Sequence, residues 1–407
     1  MVDDMKVLQI NAVYGTGSTG VIVEDIHKMC LTKGIDSYVA YSTSPVRDIH
    51  NGYRIGGTVG KKMHALLSRI NGKQAYFSRS ATKKLLRHID IIKPDIVHLH
   101  NLHSNYINLN MLLDYLAKKD INTVITFHDC WYFTGGCFHY TSENCYRWTS
   151  GCGNCPKKKK DTPAILFDCS SKILKDRIKY LIAIPRLTIV GVSDWIVGEA
   201  KKTFLKDVAS VTIHNGIDTS FFKNTPSDLK TKYGIEGKFV VLGLASKWFL
   251  KVNKETFDKV VSGLPIDCVL MLLGCTEEQR KNLPENVIGI PFVKDREELR
   301  KIYSMADVFV NCTREDSFPL ANLEPQACGT PVITYCNTGA KETVDGKSGF
   351  AVENGNADEM LDRILTVKEK GKDCFSDSCR TWAVNSFDRD ENYEKYIKLF
   401  YRLIMGK

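Results

Sequence analysis

The chain has 407 residues, a formal net charge of +9, 43% hydrophobic and 25% charged residues, the composition of an ordinary soluble globular protein. Its longest apolar runs, such as Cys268 to Cys275, fall far short of the roughly 20 residues that cross a bilayer, which excludes a membrane-spanning chain. The length exceeds what one hydrophobic core fills, so two domains are expected.

Met1-Val-Asp-Asp is acidic and runs straight into a strand, unlike a secretory signal, and this predicts a cytoplasmic protein. Charge is uneven: through Ile217, 29 Lys and Arg face 18 Asp and Glu, net +11, and the remainder carries 27 against 29, net −2. A cationic first half suits an anionic acceptor or peripheral contact with the inner face of a membrane. A merely solvated basic face explains it equally well.

In chain order, Lys6 to Ile10 reads as a short buried strand. Gly15-Thr-Gly17-Ser-Thr-Gly20 follows and opens a helix with apolar residues at Val21, Ile22, Ile26 and Met29. This is G-x-G-x-x-G in the strand–turn–helix setting of a dinucleotide site. The next strand, Ser37 to Tyr41, ends in Ser-Thr-Ser and offers no acid for a ribose hydroxyl, which weakens a nicotinamide-dependent oxidoreductase. Residues 51–84 show no clear strand and carry scattered basic and aromatic side chains, as a segment near an acceptor groove would. Pro94 to Asn101 and Thr123 to Asp129 are strands ending in histidines and acids. In an open α/β sheet such ends face the ligand crevice. His128 is the favoured functional histidine; His98, His100 and His103 read at least as well as hydrogen-bonded core residues.

Cys137, Cys145, Cys152 and Cys155 then fall in one loop-like segment, 130–156, spaced C-x7-C-x6-C-x2-C. Clustered thiols in a cytosolic protein point to metal or redox chemistry before disulfides. Four thiolates suit a closed structural zinc site with Cys152-Gly-Asn-Cys155 as its knuckle, and His139 and Cys130 as spare ligands. Free thiols and two disulfides are the alternatives. Zinc would clip a loop with little core of its own. The Lys157 to Lys160 run reads as a solvated turn or as a membrane or acceptor contact.

The strand Leu187 to Val192 and the Val211 to Asp218 run lead to a boundary near Ile217. Lys238 to Gly243, Val269 to Gly274 and Val287 to Pro291 are strands of a second sheet. Ala306 to Cys312 predicts another strand, Ser317 to Cys328 a helix entered through Pro319, and Pro331 to Tyr335 a further strand. Asp316 and Glu324 stand at either end of seven residues. A helix starting near Phe318 points its free N–H groups into this acidic loop, which makes an anion site. Simple capping, worth about 0.3–1 kcal/mol per charge, is the plain alternative. Glu391 to Leu403 closes the chain as an amphipathic helix, with Asp388-Arg-Asp390 as capping acids at its start.

The run Asp316-Ser-Phe318-Pro319-Leu320-Ala-Asn-Leu-Glu324, followed by Pro-Gln-Ala-Cys-Gly329-Thr-Pro331-Val-Ile, resembles the E-x7-E signature of retaining glycosyltransferases of family 4. Thr-Phe-His128-Asp, Val-Ser193-Asp-Trp195, Asn215-Gly-Ile-Asp218 and Asn337-Thr-Gly339-Ala-Lys-Glu342 resemble further segments of that family. The resemblance implies the GT-B fold, two doubly wound Rossmann-like α/β domains facing across a cleft. Residues 1–217 would bind the acceptor, 218–385 the nucleotide sugar, and 386–407 would form a helix returning to the first domain. It implies Glu324 on the donor ribose, Asp316 and His128 by the transferred sugar, and Phe318, Pro319 and Leu320 as the phosphate-facing turn. Gly339 and Glu342 would border the donor sugar, and Gly17 and Gly20 its phosphate. The arginine of the family's G-R-L segment is missing after Gly243, so Lys247 or Lys251 would supply the cation.

The implied reaction moves a sugar from a nucleotide-diphosphate sugar to a hydroxyl of a saccharide or lipid-linked saccharide, with retention and without a catalytic metal, in bacterial surface-polysaccharide assembly. Besides the oxidoreductase, the rival is a zinc-containing nucleic-acid-binding protein using the cysteines and the basic half; the transferase needs no nucleic acid partner.

Overall fold

The structure, a computed structural model, describes residues 5–161 and 163–406. The chain forms two compact units, Met1–His214 with Tyr393–Lys407, and Asn215–Asn392.

The first unit is built on a seven-stranded sheet: β1 (Lys6–Val13), β2 (Asp36–Thr43), β3 (Gly52–Arg54), β4 (Ile96–Leu99), β5 (Asn122–Phe127), β6 (Leu187–Gly191) and β7 (Ala209–Thr212), in the order β3-β2-β1-β4-β5-β6-β7. Every pairing is parallel. Parallel strands covered on both faces need near-continuous apolar runs, and Val7, Leu8, Ile10, Ile96, Val97, Val124 and Ile125 are fully buried. Helix Gly17–Thr32 and the last turns of helix Arg389–Met405 cover the sheet through Ile22, Ile26, Tyr396 and Phe400. Other helices start where sequence supplies a cap: Asn108 accepts from Met111 N–H (3.0 Å) and Ser193 from Ile196 N–H (3.3 Å). The segment 51–84, expected to lack a strand, holds β3 and the helices Thr58–Asn71 and Arg79–Ile92. At three residues on the sheet edge, β3 is too short to show alternation.

The second unit holds β8 (Phe239–Leu244), β9 (Cys268–Leu273), β10 (Val287–Ile290), β11 (Val308–Asn311), β12 (Val332–Tyr335) and β13 (Gly349–Val352), ordered β10-β9-β8-β11-β12-β13 and parallel throughout. Val241, Leu270, Leu272, Val308, Val310 and Ile333 form its core with Met360 and Ile364 of helix Ala357–Lys370. The helix expected from Ser317 begins only at Leu320 and ends at Ala327. Asp316 Oδ1 accepts from Phe318 N–H at 3.0 Å, an Asx turn that keeps these residues extended. Pro319 also disfavours helical geometry in the residue before it. Asp388 Oδ1 accepts from the N–H groups of Asp390 and Glu391 (3.0 and 3.3 Å), so the Asp-Arg-Asp triplet caps the last helix.

Strand order reverses between β1 and β4 in the first sheet and between β8 and β11 in the second. In open α/β sheets ligands gather at the carboxyl ends of the strands on either side of such a reversal.

Candidate functional site

In the second unit the register Val310↔Gly243 sets the loops after β8 and β11 side by side. The first carries Lys247, on the short helix Ala245–Trp248; the second carries Arg314 and Asp316. Burial pushes the thiol of Cys312, at the end of β11, up to about 12, and both the Lys247 and Arg314 charges act on it to lower it. Arg314 is held in place: its Nε donates to Asn253 Oδ1 (2.8 Å), its Nη2 to Val252 O (2.7 Å), and its carbonyl accepts from Asn337 Nδ2 (2.7 Å). Lys251 lies on the 3-10 turn Lys251–Asn253 with its side chain in solvent. Of the two lysines expected to replace the missing arginine, the geometry brings Lys247 to the strand ends. It adds Arg314, which the sequence reading passed over because it sits after β11 and not after β8.

Glu324 lies one turn into helix Leu320–Ala327 and accepts from Tyr303 Oη at 3.0 Å. Burial pushes its carboxyl up to about 7, against the Tyr303 hydrogen bond and the Arg296 charge, which pull it down. Tyr303 comes from the preceding helix, Arg296–Met305, and no motif marked it. Beneath the helix, Asn311 Nδ2 donates to Asn322 Oδ1 (2.7 Å), Asn322 Nδ2 to Thr343 Oγ1 (2.8 Å) and Gln326 Nε2 to Thr343 O (2.9 Å). This buried amide chain ties the helix to the 3-10 segment Gly339–Thr343, so Gly339 and Glu342 are brought to the Glu324 helix. Phe318 and Pro319 are buried, Phe318 edge-on to Phe387 at 5.4 Å, so this turn offers a ligand its backbone and not its side chains. Leu320 is half-buried at the helix start, and the Ser317 hydroxyl is buried without a partner.

In the first unit Gly15 and Gly17, at φ +68° and +63°, turn the chain after β1 into the helix that begins at Gly17. Gly15 N–H donates to Gly20 O (3.0 Å), and residues 16–18 are exposed at the helix start. Across the reversal, β4 and β5 deliver the histidines. His98 is fully buried, bonded to Thr126 Oγ1 (2.8 Å) and packed on Tyr396 and Phe400, a core residue. His100, also buried, lies 3.2 Å from Gln9 Oε1 through Nε2 and 3.1 Å from His128 Nε2 through Nδ1. Gln9 Nε2 donates to Val23 O (3.2 Å), which makes Oε1 the acceptor. His100 Nε2–H is then the donor, its Nδ1 accepts from His128 Nε2–H, and His128 keeps a bare Nδ1 at the strand end. Burial draws His128 down to about 4, so it is neutral at physiological pH. Beside it Asp129 accepts from His103 Nε2 (3.3 Å) and Trp131 N–H (2.8 Å). β2 ends without an acid, which removes the ribose partner that an oxidoreductase needs.

A cavity of about 790 Å³ opens in the same unit between helices Thr58–Asn71 and Arg79–Ile92, lined by Arg54, Lys61, His64, Arg79, Lys84 and Tyr106 among others. His64 is buried and bonded to Ser78 Oγ (2.8 Å) through Nδ1, with Nε2 unpartnered.

Cys137, Cys145, Cys152 and Cys155 line one small cavity. The segment carrying them has more core than expected: Phe133, Tyr140 and Trp148 are buried, with Trp148 4.8 Å from Tyr140 and 5.4 Å from Phe133 between ring centres. No disulfide joins any of the fourteen cysteines among the described residues.

Two family models match, one in each unit: Glycosyltransferase Family 4 over residues 20–157 and Glycosyl transferases group 1 over residues 267–386. Together they span more than half of the chain. It is a family 4 glycosyltransferase. The putative colanic acid biosynthesis glycosyl transferase WcaC of Escherichia coli (strain K12) is 22% identical over 98% of this chain and 100% of its own length. The UDP-Gal:alpha-D-GlcNAc-diphosphoundecaprenol alpha-1,3-galactosyltransferase of Escherichia coli is 24% identical over 53% of this chain and 60% of its own. Sucrose-phosphate synthase from Thermosynechococcus elongatus superposes with a TM-score of 0.73 at 15% identity, covering 99% of this chain and 100% of that one. The fold is GT-B. These relatives lend no support to the oxidoreductase or nucleic-acid readings.

Proposed function

We propose that this glycosyltransferase takes its sugar from a nucleotide-diphosphate sugar and passes it, with retention and without a catalytic metal, to a hydroxyl of a lipid-linked saccharide. The observation that carries the donor half is that Lys247 and Arg314 follow the paired strands β8 and β11 at the reversal, with Arg314 leading toward the Glu324 helix. Two cations and free helix N–H groups suit a diphosphate, and they act without a metal by stabilising the charge that gathers on it as the glycosidic bond breaks. Glu324 would take the ribose, Asp316, Gly339 and Glu342 the sugar, and the Phe318–Leu320 backbone the phosphates. In the first unit His128 Nδ1 accepts a hydrogen bond from the attacking hydroxyl and orients it, with Gly17 and Gly20 at the phosphate. Donor and acceptor classes are those named for relatives: one transfers from UDP-galactose to a diphosphoundecaprenol-linked sugar, and one solved neighbour was crystallised with UDP and glucose.

A lipid-linked acceptor requires contact with a membrane. No helix among the described residues is long and apolar enough to span one. On helix Thr58–Asn71, however, Val59, Met63, Leu66 and Ile70 stand exposed at 80%, 55%, 52% and 38%, along one face. Exposed Ile165, Leu166 and Phe167 continue the patch, bonded to the end of that helix through Ile165 N–H to Arg69 O (2.6 Å) and Leu166 N–H to Ile70 O (3.2 Å). Exposed Lys62 and Arg69 add charge for an anionic leaflet, and the basic cavity behind the helix suits an acceptor phosphate. The protein would then work at the inner face of the membrane, in surface-polysaccharide assembly.

The test is turnover of a panel of nucleotide sugars with a polyprenyl-diphosphate saccharide, with the anomeric configuration of the product read by NMR. An α-linked product from an α-linked donor, at a rate unchanged by added magnesium or manganese, is expected; an inverted product or an absolute metal requirement would refute the proposal. Leu66→Ser with Phe167→Ser should release the protein from anionic vesicles while preserving transfer to a water-soluble acceptor.

A further inference from the structure

We propose that Cys137, Cys145, Cys152 and Cys155 form a tetrathiolate zinc site that locks the segment following His128 and Asp129 onto helix Ser170–Leu181. The inference is independent of which sugar is transferred. The four side chains come from three separate turns and meet around one cavity of about 20 Å³, room for a single ion or water. Gly135 lies against them: a Cβ there would stand 2.8 Å from that of Cys152 and 2.5 Å from Ser170 O, so the cluster closes only around a glycine.

Charge gives an independent argument. Arg177, on helix Ser170–Leu181, is 2% exposed, and its Nη1 donates to the carbonyls of Trp131 and Thr134 while its Nε is unpartnered. The guanidinium stacks 3.9 Å from the Trp131 ring centre. Besides burial, the largest influences on its charge are Tyr76, Cys137, Cys152 and Tyr132. A buried cation gains from a counter-charge close by. Four thiolates around Zn²⁺ carry a net charge of −2, and two of the four sulfurs are already among the groups that act on Arg177.

Hydrogen-bond donors are aimed the same way. Gly135 N–H bonds to Cys152 and Lys157 N–H to Cys155. Trp148 Nε1–H, buried on the cavity wall, has no hydrogen-bond partner among the described residues. Neutral thiols are weak acceptors, whereas metal-bound thiolates accept such bonds well. Among the described residues no three of these sulfurs lie within 4.8 Å of one another, so the ion must draw them in to the Zn–S bond length of about 2.3 Å. The glycines and short 3-10 turns of the segment permit that movement. Its anchor is already in place: Asp168 accepts from Cys155 N–H (2.7 Å) and from Ser170 N–H (2.9 Å), joining the knuckle to the start of the Arg177 helix.

The experiment is elemental analysis of the full chain purified reduced from zinc-replete medium. About one zinc per chain is expected, falling at least tenfold in Cys152→Ser and unchanged in Cys374→Ser, an exposed thiol outside the cluster. Should Cys152→Ser fail to fold, cobalt exchanged into the native protein should give the intense thiolate-to-metal bands of a tetrahedral site. Native protein without zinc, with iron in its place, or with zinc untouched by Cys152→Ser would overturn the proposal, as would two disulfides in the reduced preparation.

Discussion

The two strand-order reversals share one topology and differ in chemistry. At β8–β11 the loops hold two cations, and the helix that follows carries a carboxyl that burial raises to about 7. At β4 and the adjoining β5 stand imidazoles, the core His98 held by burial near 3 and, just past β5, His128 held near 4. One end is built to hold an anion, the other to offer uncharged hydrogen-bonding groups. The sheet supplies the position and the loops supply the chemistry, so the shared topology alone would not distinguish the two ends.

The largest effect on this contrast belongs to Glu324. Glu324→Ala removes a buried carboxyl hydrogen-bonding group from the proposed donor site, and donor affinity by calorimetry should fall on the order of 10²-fold or more. Unaltered affinity would move the donor elsewhere. Next come the cations: Arg314→Ala should weaken nucleotide-sugar binding by roughly 10- to 100-fold, Lys247→Ala by a similar factor, and Lys251→Ala hardly at all. Equal losses for Lys251 and Lys247 would refute the placement drawn from Cys312.

Much of this was legible in the sequence. The Asp316-to-Glu324 spacing, the glycine turn and the strand-ending histidines each announced themselves by residue type and position. What stayed hidden came from tertiary neighbours. Arg314 lies three residues beyond β11 and comes near the end of β8, and so to the proposed donor site, only because β8 pairs with β11. Tyr303 reaches Glu324 from another helix. The late helix start was within reach, since an acid two residues before Phe318 and a proline after it are turn chemistry; periodicity hid it, because apolar spacing continues through the turn. Gln9, fourteen residues before Val23 and ninety-one before His100, carries no local signal, yet it sets the tautomer of two histidines.

That tautomer chain predicts a smaller, separable effect within the first unit. His128→Asn should lower kcat about tenfold, the worth of one oriented hydrogen bond, with donor affinity unchanged. His98→Asn should chiefly lower Tm, because it is bonded to Thr126 and packed on Tyr396 and Phe400, and should change kcat much less than His128→Asn, because it reaches His128 only through the His100 ring 4.0 Å away. A kinetic defect in His98→Asn with a normal melting curve would reverse the assignment of core and site.

The smallest effects lie in the pH dependence of stability, where the two regions should oppose each other. Histidines lowered in the fold bind fewer protons than in the unfolded chain, so their contribution is present above about pH 6.5 and is lost as pH falls through about 4. Glu324, raised from an ordinary 4.5 to about 7, binds more protons folded than unfolded. Its contribution is therefore present below about pH 4.5 and is lost as pH rises through 7. Glu324→Gln keeps a neutral hydrogen-bond partner for Tyr303 and removes this loss, so its Tm relative to the native protein should climb between pH 5 and 8, by the equivalent of about 1–2 kcal/mol for a half-buried group. His128→Asn should instead flatten the acid limb and leave the alkaline limb unchanged. Parallel shifts of both limbs in either variant would mean that the two reversals do not carry opposite protonation chemistry.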